Sequence, residues 1–249
     1  MLSDAQWTKL CQLMLSSGRV YNKREHRNTL EGILYRARTG CPWRDVPAEF
    51  GNWNTIFRRF NLWSRKGVLH CIFKCLSRLA DSEWLFLDGS IVRAHQHSSG
   101  AASEEEQAIG RSRGGLTTKI HLSVDSGGLP VHFELSGGQV HDVTHAQSLV
   151  THSPRSATVT ADKGYDSEPL RAQIRLQGAT PNIPRKQNSK VGNADMDWSL
   201  YRYRHLVENA FAKLKQFRAI ATRYDKLQRN FASLIALVFS MMWLPMWVA

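Results

Sequence analysis

Residues 118–135 read TKIHLSVDSGGLPVHFEL, and the period of this stretch is two. Ile120, Leu122 and Val124 alternate with polar neighbours, and Leu129, Val131, Phe133 and Leu135 repeat the pattern. Between the two runs lies Asp125-Ser126-Gly127-Gly128, whose residues favour a turn. Successive side chains on a strand point to opposite faces, so the stretch predicts an antiparallel hairpin with one buried face. Upstream, Trp84-Leu85-Phe86-Leu87 is a continuous apolar run. It predicts a strand buried on both faces, leading on through Ile91 and Val92 to complete a three-strand meander.

Downstream the pattern alternates. A helix over 142–150, a strand at Ala157–Ala161, a helix over 167–176, a strand near Pro181-Asn182-Ile183 and a helix carrying Glu208 follow in turn. The order β-β-β-α-β-α-β-α predicts an α/β fold built on a mixed α+β sheet. The first 80 residues instead read as helices. Ser3 with Gln6 forms a capping-box pattern, 22–38 is a second helix stopped by Gly40 and Pro42, and Asn52 caps a third. A fourth runs from Val68 to Leu79. The expected organisation is a helical module over 1–80 and a sheet domain over 81–249.

Two acids sit where buried strands should end. Asp88 follows the Trp84 run directly, and Asp162 follows Ala157-Thr158-Val159-Thr160-Ala161. A carboxylate there is expensive to desolvate unless it is paired or binds a metal, although a single such Asp is more often a turn former. A third acid, Glu208, lies in YRYRHLVENAFAKLK, residues 201–215. Read as one helix, this segment puts Tyr201, Arg204, Glu208 and Lys215 on one face and Leu206, Val207, Ala210, Phe211, Leu214 and Phe217 on the other.

Composition narrows the partners. The 249 residues carry a net charge of +12. Between Leu200 and Asn230 there are eight Lys or Arg against two acids, which favours nucleic acid as the partner. Arg58 and Arg59 project from the third helix. Arg111 and Arg113 sit in a glycine-rich segment within a loop expected over 96–115, which also holds Glu104-Glu105-Glu106. Arg185 and Lys186 follow the fifth expected strand. All are candidate phosphate contacts. Cys71-x3-Cys75 beside His70, and His141 with His145, have spacings that would suit zinc; a core pair and a helix start with Asp142 as N-cap are the readings adopted. The four Cys fit a reduced, cytoplasmic interior. Phe231 to Ala249 carries no charge, and is expected to be a helix buried against the sheet rather than a membrane anchor.

The series Asp88, then Asp162-Lys163-Gly164-Tyr165, then Glu208 resembles the DDE transposases of bacterial insertion sequences. The spacing Tyr-x2-Arg-x3-Glu-x6-Lys at Tyr201, Arg204, Glu208 and Lys215 is similar to the signature of the insertion sequence 5 family. Two further segments, GILYRARTGCPWRDVPAEFGNWNTIFRRFNLWSRKG and GRSRGGLTTKIHLSVDSGGLP, resemble it as well. The resemblance implies a ribonuclease-H-like catalytic domain, in which the first and fourth strands are neighbours; the helical module before it, with basic outer faces, suits DNA binding of helix-turn-helix kind, with a structural or dimerising bundle as the alternative. The resemblance implies Asp88, Asp162 and Glu208 as ligands of two Mg²⁺ ions, with Mn²⁺ able to substitute. Arg204, Lys215 and Tyr201 would then meet DNA. Double-stranded element ends and target DNA are the implied partners, with a homodimer or larger assembly on nucleoid DNA and no membrane. A catalytically silent DNA-binding repressor and a stand-alone nuclease of the same fold are the alternatives.

Overall fold

The computed structural model describes residues 1–100 and 107–248; Glu104-Glu105-Glu106 lies outside them. The elements are α1 (Asp4–Ser16), α2 (His26–Thr39), α3 (Trp53–Arg65), α4 (Val68–Leu76), β1 (Trp84–Ala94), β2 (Gly110–Ser112), β3 (Gly115–Val124), β4 (Pro130–Gly137), α5 (Asp142–His152), β5 (Thr158–Thr160), α6 (Glu168–Leu176), β6 (Thr180–Asn182), α7 (Trp198–Tyr201), α8 (His205–Lys215), α9 (Arg218–Ala221), β7 (Thr222–Arg223) and α10 (Gln228–Trp247). They divide into two compact units. One comprises Met1–Arg78, Arg93–Gln107 and Leu214–Ala249; the other comprises Leu79–Val92 and Ala108–Lys213.

The sheet unit has the hydrogen-bonded order β2-β3-β1-β5-β6, with β4 paired to β3. β3 and β4 form the expected hairpin, antiparallel with Ile120 opposite Leu135 and Leu122 opposite Phe133. β5 pairs parallel to β1 and to β6. Leaving aside the short β2, the order is that of a ribonuclease-H-like sheet. Leu85, Leu87, Val159, Leu149, Leu170 and Ile174 share the core between the sheet and helices α5 and α6. Three local expectations change here. Asp88 lies within an eleven-residue strand, not at its end. Gly110-Arg111-Ser112 is not loop but a strand paired to Gly115–Thr117. The segment 201–215 is not one helix: α7 ends at Tyr201, Arg202–Arg204 is a 3-10 turn, and α8 then begins.

The helical unit begins at a cap the sequence specifies. Ser3 Oγ accepts from the Gln6 amide at 3.2 Å while Gln6 Oε1 accepts from the Ser3 amide at 3.0 Å. Gly40 ends α2 in the left-handed region, φ 72°, where a side chain would be strained. Asn52 Oδ1 caps α3 by accepting from Asn54 and Thr55 amides. The half-buried Cys71 and Cys75 lie off the row of α4 residues that faces the core, and none of the four cysteines is in a disulfide.

α10 corrects the expectation of a helix lying on the sheet. Long and apolar enough to cross a bilayer, it packs on α4 and α3 and buries Phe231, Leu234, Ile235, Val238 and Trp243 within the helical unit. That unit is therefore assembled from three separate stretches of chain, a departure from the expected division at residue 80. Arg36 and Asp225 fasten two of them with a 2.9 Å ion pair whose side chains are 6% and 5% exposed. Removing one member leaves a buried charge alone, a change that costs about 3–5 kcal/mol. Asp225→Ala should therefore lower stability by about that much in urea unfolding, and Arg36→Met/Asp225→Leu should recover most of the loss. A single-variant loss below about 1 kcal/mol would show that water reaches the pair.

Candidate functional site

The acids meet because of strand register. Trp84 pairs with Thr158, Leu85 with Val159 and Phe86 with Thr160. Continued two residues further, the same parallel register puts Asp88 level with Asp162. Asp162 caps the turn that follows β5, its Oδ1 accepting from the Gly164 amide at 2.8 Å. Asp88 Oδ1 accepts from the Gly89 amide at 2.8 Å. Burial pushes the Asp88 carboxyl up and the neighbouring Asp162 charge adds to that push, while the Gly89 amide and Arg204 oppose it.

Arg204 joins the third acid to the first. Its Nη1 donates to Asp88 Oδ2 at 3.0 Å and its Nη2 donates to Glu208 Oε1, one turn along the chain. Burial works against the guanidinium charge, but Asp88, Glu208, Tyr201 and Asp162 raise its pKa nonetheless. The side chain expected to face a phosphate is thus engaged with two of the acids themselves. Glu208 is exposed, while Val207, Ala210, Phe211 and Leu214 on the opposite side of α8 are buried, as their spacing predicted. Tyr201 sits edge-on to Trp198 at 5.7 Å.

Asp142 of α5 reaches β1 at Gly89, on the face of the strand opposite to Asp88, and the sequence reading missed it. Asp142 is not the N-cap, a position that His141 occupies; it is the first helical residue and turns inward. Lys119 Nζ lies 3.2 Å from it and His121 Nδ1 3.5 Å, the latter longer than a good hydrogen bond. Burial alone would raise its pKa; His121 and Lys119 hold it down. A Cβ on Gly89 would stand 2.1 Å from Asp142 Oδ1, so only glycine beside Asp88 lets this carboxylate in. The glycine was the available signal, since one inside a strand often marks a close approach. Tyr165, of the Asp162-Lys163-Gly164-Tyr165 element, is buried beneath this group. Burial, with the charges of Asp142, Asp88 and Asp162, holds its phenol well above the ordinary value.

The remaining candidates are more scattered. Arg185 is tied to Glu168 at 2.5 Å, whereas Lys186 lines a shallow depression of about 350 Å³ with Lys163, Gln187 and Asn188. Arg111 and Arg113 are exposed at the β2–β3 hairpin. In the helical unit Arg59 Nη1 contacts His26 Nδ1 at 2.8 Å, and Arg58 joins Arg65 and Arg229 around a depression of about 250 Å³. Lys215, at the end of α8, belongs to that unit, and burial lowers its pKa.

Asp88 and Asp162, near enough that the charge of one raises the pKa of the other, offer the oxygen donors that hard divalent cations prefer. Residues 2–73 match the family model described as a putative transposase of the IS4/5 family, and residues 80–243 match that of the transposase DDE domain. The chain belongs to the DDE transposases. Domains of this class use divalent metal ions and cut DNA. Among similar proteins, a putative transposase for insertion sequence element IS6501 from Brucella ovis is 36% identical over 130 residues, 52% of this chain and 99% of that one. The uncharacterized protein y4sN of Sinorhizobium fredii is 34% identical over 128 residues, 51% of this transposase and 96% of its own length. A piggyBac transposase synaptic complex with hairpin DNA has a TM-score of 0.44 at 11% identity, covering 76% of this chain and 50% of that one.

The Gly89–Asp142 contact in this transposase can be tested by a double-mutant cycle. Gly89→Ala should cost about 1–3 kcal/mol in unfolding, because Asp142 must leave Lys119 and His121 to make room. In an Asp142→Ala background the same substitution should cost much less. Additive costs would mean that the two residues do not crowd each other.

Proposed function

We propose that this transposase binds the inverted-repeat ends of an insertion element, cleaves them at Asp88, Asp162 and Glu208, and joins the freed 3′-hydroxyls to target DNA. The carrying observation is the β1–β5 register that sets Asp88 level with Asp162, with Arg204 linking Asp88 to Glu208. The donor set suits Mg²⁺ or Mn²⁺: three carboxylates from three elements, two of them close enough that Asp162 raises the pKa of Asp88. Two such ions, when bound, supply an activated oxygen nucleophile and stabilise the departing oxygen of a phosphodiester.

The chain's own residues do the rest. In hydrolysis the water oxygen bonds to phosphorus and the P–O3′ bond breaks; in joining, the freed 3′-oxygen bonds to a target phosphorus and displaces that strand's own 3′-oxygen. Asp88 and Asp162 accept from backbone amides, while Glu208 lies on the exposed side of α8. Arg204 balances two of the three negative charges and fixes the direction of Glu208. Lys163, Lys186, Lys215 and the exposed Arg111 and Arg113 offer charge to the DNA backbone, and Tyr201 offers a hydroxyl and a ring face. Arg58, Arg65 and Arg229 give the helical unit a basic surface for the element ends, and Arg59, beside His26, is a further candidate. The proposed setting is a homodimer or larger assembly on nucleoid DNA in the cytoplasm. A silent repressor is not favoured, since all three acids are present.

Asp88→Asn, Asp162→Asn and Glu208→Gln should each abolish cleavage and joining of end-bearing DNA in Mg²⁺ while binding stays within a few-fold of wild type. Strand joining at wild-type rate by Glu208→Gln would refute the three-acid assignment. For the basic surfaces, Arg58→Ala and Lys215→Ala should each lower the slope of log K against log salt by about 0.9, one phosphate's worth. An unchanged slope in both proteins would place the DNA elsewhere.

A further inference from the structure

On the sheet unit, a second polar cluster joins β4 to α5, and the proposed DNA chemistry does not use it. His132 and Glu134, two residues apart on β4, point to the same face. His145, Ser148 and His152 lie along one side of α5 at intervals of three and four. A ring nitrogen of His132, a carboxylate oxygen of Glu134 and a ring nitrogen of His152 all lie within 4.8 Å of one another. His132 Nε2 is 3.4 Å from Glu134 Oε1. That is the edge of a tetrahedron with bonds of about 2.0–2.1 Å, whose ligands stand about 3.3 Å apart.

We propose that His132, Glu134 and His152 bind a transition-metal dication of the Zn²⁺ class, tying α5 to β4. Two imidazoles and one carboxylate suit zinc or its neighbours far better than Mg²⁺, which prefers oxygen alone. The carboxylate is held ready for this. His145 Nδ1 lies 2.6 Å from Glu134 Oε2, and Ser148 donates to Oε1. Against the upward push of burial, hydrogen bonds from His132, Ser148 and His145 hold Glu134 at about 2, so it is ionised at neutral pH. The third ligand is oriented too: His152 Nδ1 lies 2.9 Å from the Ser148 carbonyl and 3.1 Å from its hydroxyl. These are the outer contacts that fix ligand direction in metal sites. Three protein ligands leave one position for water. His145 in turn stacks on His121 at 4.2 Å, and His121 neighbours Asp142, so the cluster braces the wall behind Gly89.

The test uses the full chain carrying Asp88→Asn and Asp162→Asn, so that the acidic site and its assignment are left out of the measurement. Titration with Zn²⁺, with Co²⁺ as a coloured probe, should show one equivalent bound, a tetrahedral nitrogen–oxygen spectrum and a raised melting temperature. His152→Ala, at an exposed position, should weaken binding more than a hundredfold and remove the thermal shift; His132→Ala should do the same. His145→Ala, which only positions Glu134, should cost about 10–100-fold. Affinity unchanged in His152→Ala and His132→Ala would overturn the proposal. So would cobalt bound with thiolate charge-transfer bands, which would assign the metal to Cys71 and Cys75.

Discussion

Burial penalises the charge of Asp88 on β1, and the Asp162 carboxylate just past the end of the neighbouring parallel strand β5 adds its repulsion. The structure accepts that cost at Asp88. The cost is what makes the position useful, since the arrangement is stable only with positive charge close by. Arg204 supplies one such charge by bridging Asp88 to Glu208, and its pKa is raised by the acids around it despite its burial. The site without ligand is thus already partly neutralised. Cations arriving at the acids would compete with an arginine that has two hydrogen bonds to lose. Arg204 is in that sense a gate on the acids.

Features encoded by near neighbours were legible in the sequence. Ser3 with Gln6, Gly40 and Asn52 set helix ends through contacts within four residues, and each functions as its residue type dictates. The alternation at Ile120, Leu122 and Val124 and the apolar face of α8 are periodic, so burial follows the period. The three acids could be picked out because each follows or interrupts an apolar run, and the family spacing linked them. Partnership across the chain was not legible. Arg204 meets an acid 116 residues away, and nothing local to YRYRH says that its guanidinium turns inward. Asp142 looked like an N-cap because its residue type favours one; only Gly89, 53 residues earlier and without a Cβ, leaves space for it to do otherwise.

The misplaced C-terminal helix has a similar cause. The uncharged run from Phe231 onward announces burial but carries no address. A helix apolar on most of its surface has no stripe to show which neighbour covers it, so sheet and helices were equally good partners on composition alone. The choice is made by complementary surfaces on α3 and α4, helices that lie more than 150 residues earlier in the chain.

That choice limits how separable the two units are. β1 carries Asp88 within the sheet unit and ends at Arg93 and Ala94, which pair with β7 of the helical unit. α8 carries Glu208, and the boundary between units falls inside its last turn. Both elements therefore contribute residues to each unit. Removing the first 80 residues would strip α10 of its α3 and α4 partners and expose Phe231, Leu234, Ile235 and Val238 together. A contiguous apolar face of that kind promotes aggregation, and its loss of function would say nothing about DNA. Functions of the two units are better separated by single charge changes at Arg58 or Lys215, which leave the apolar packing of both units intact.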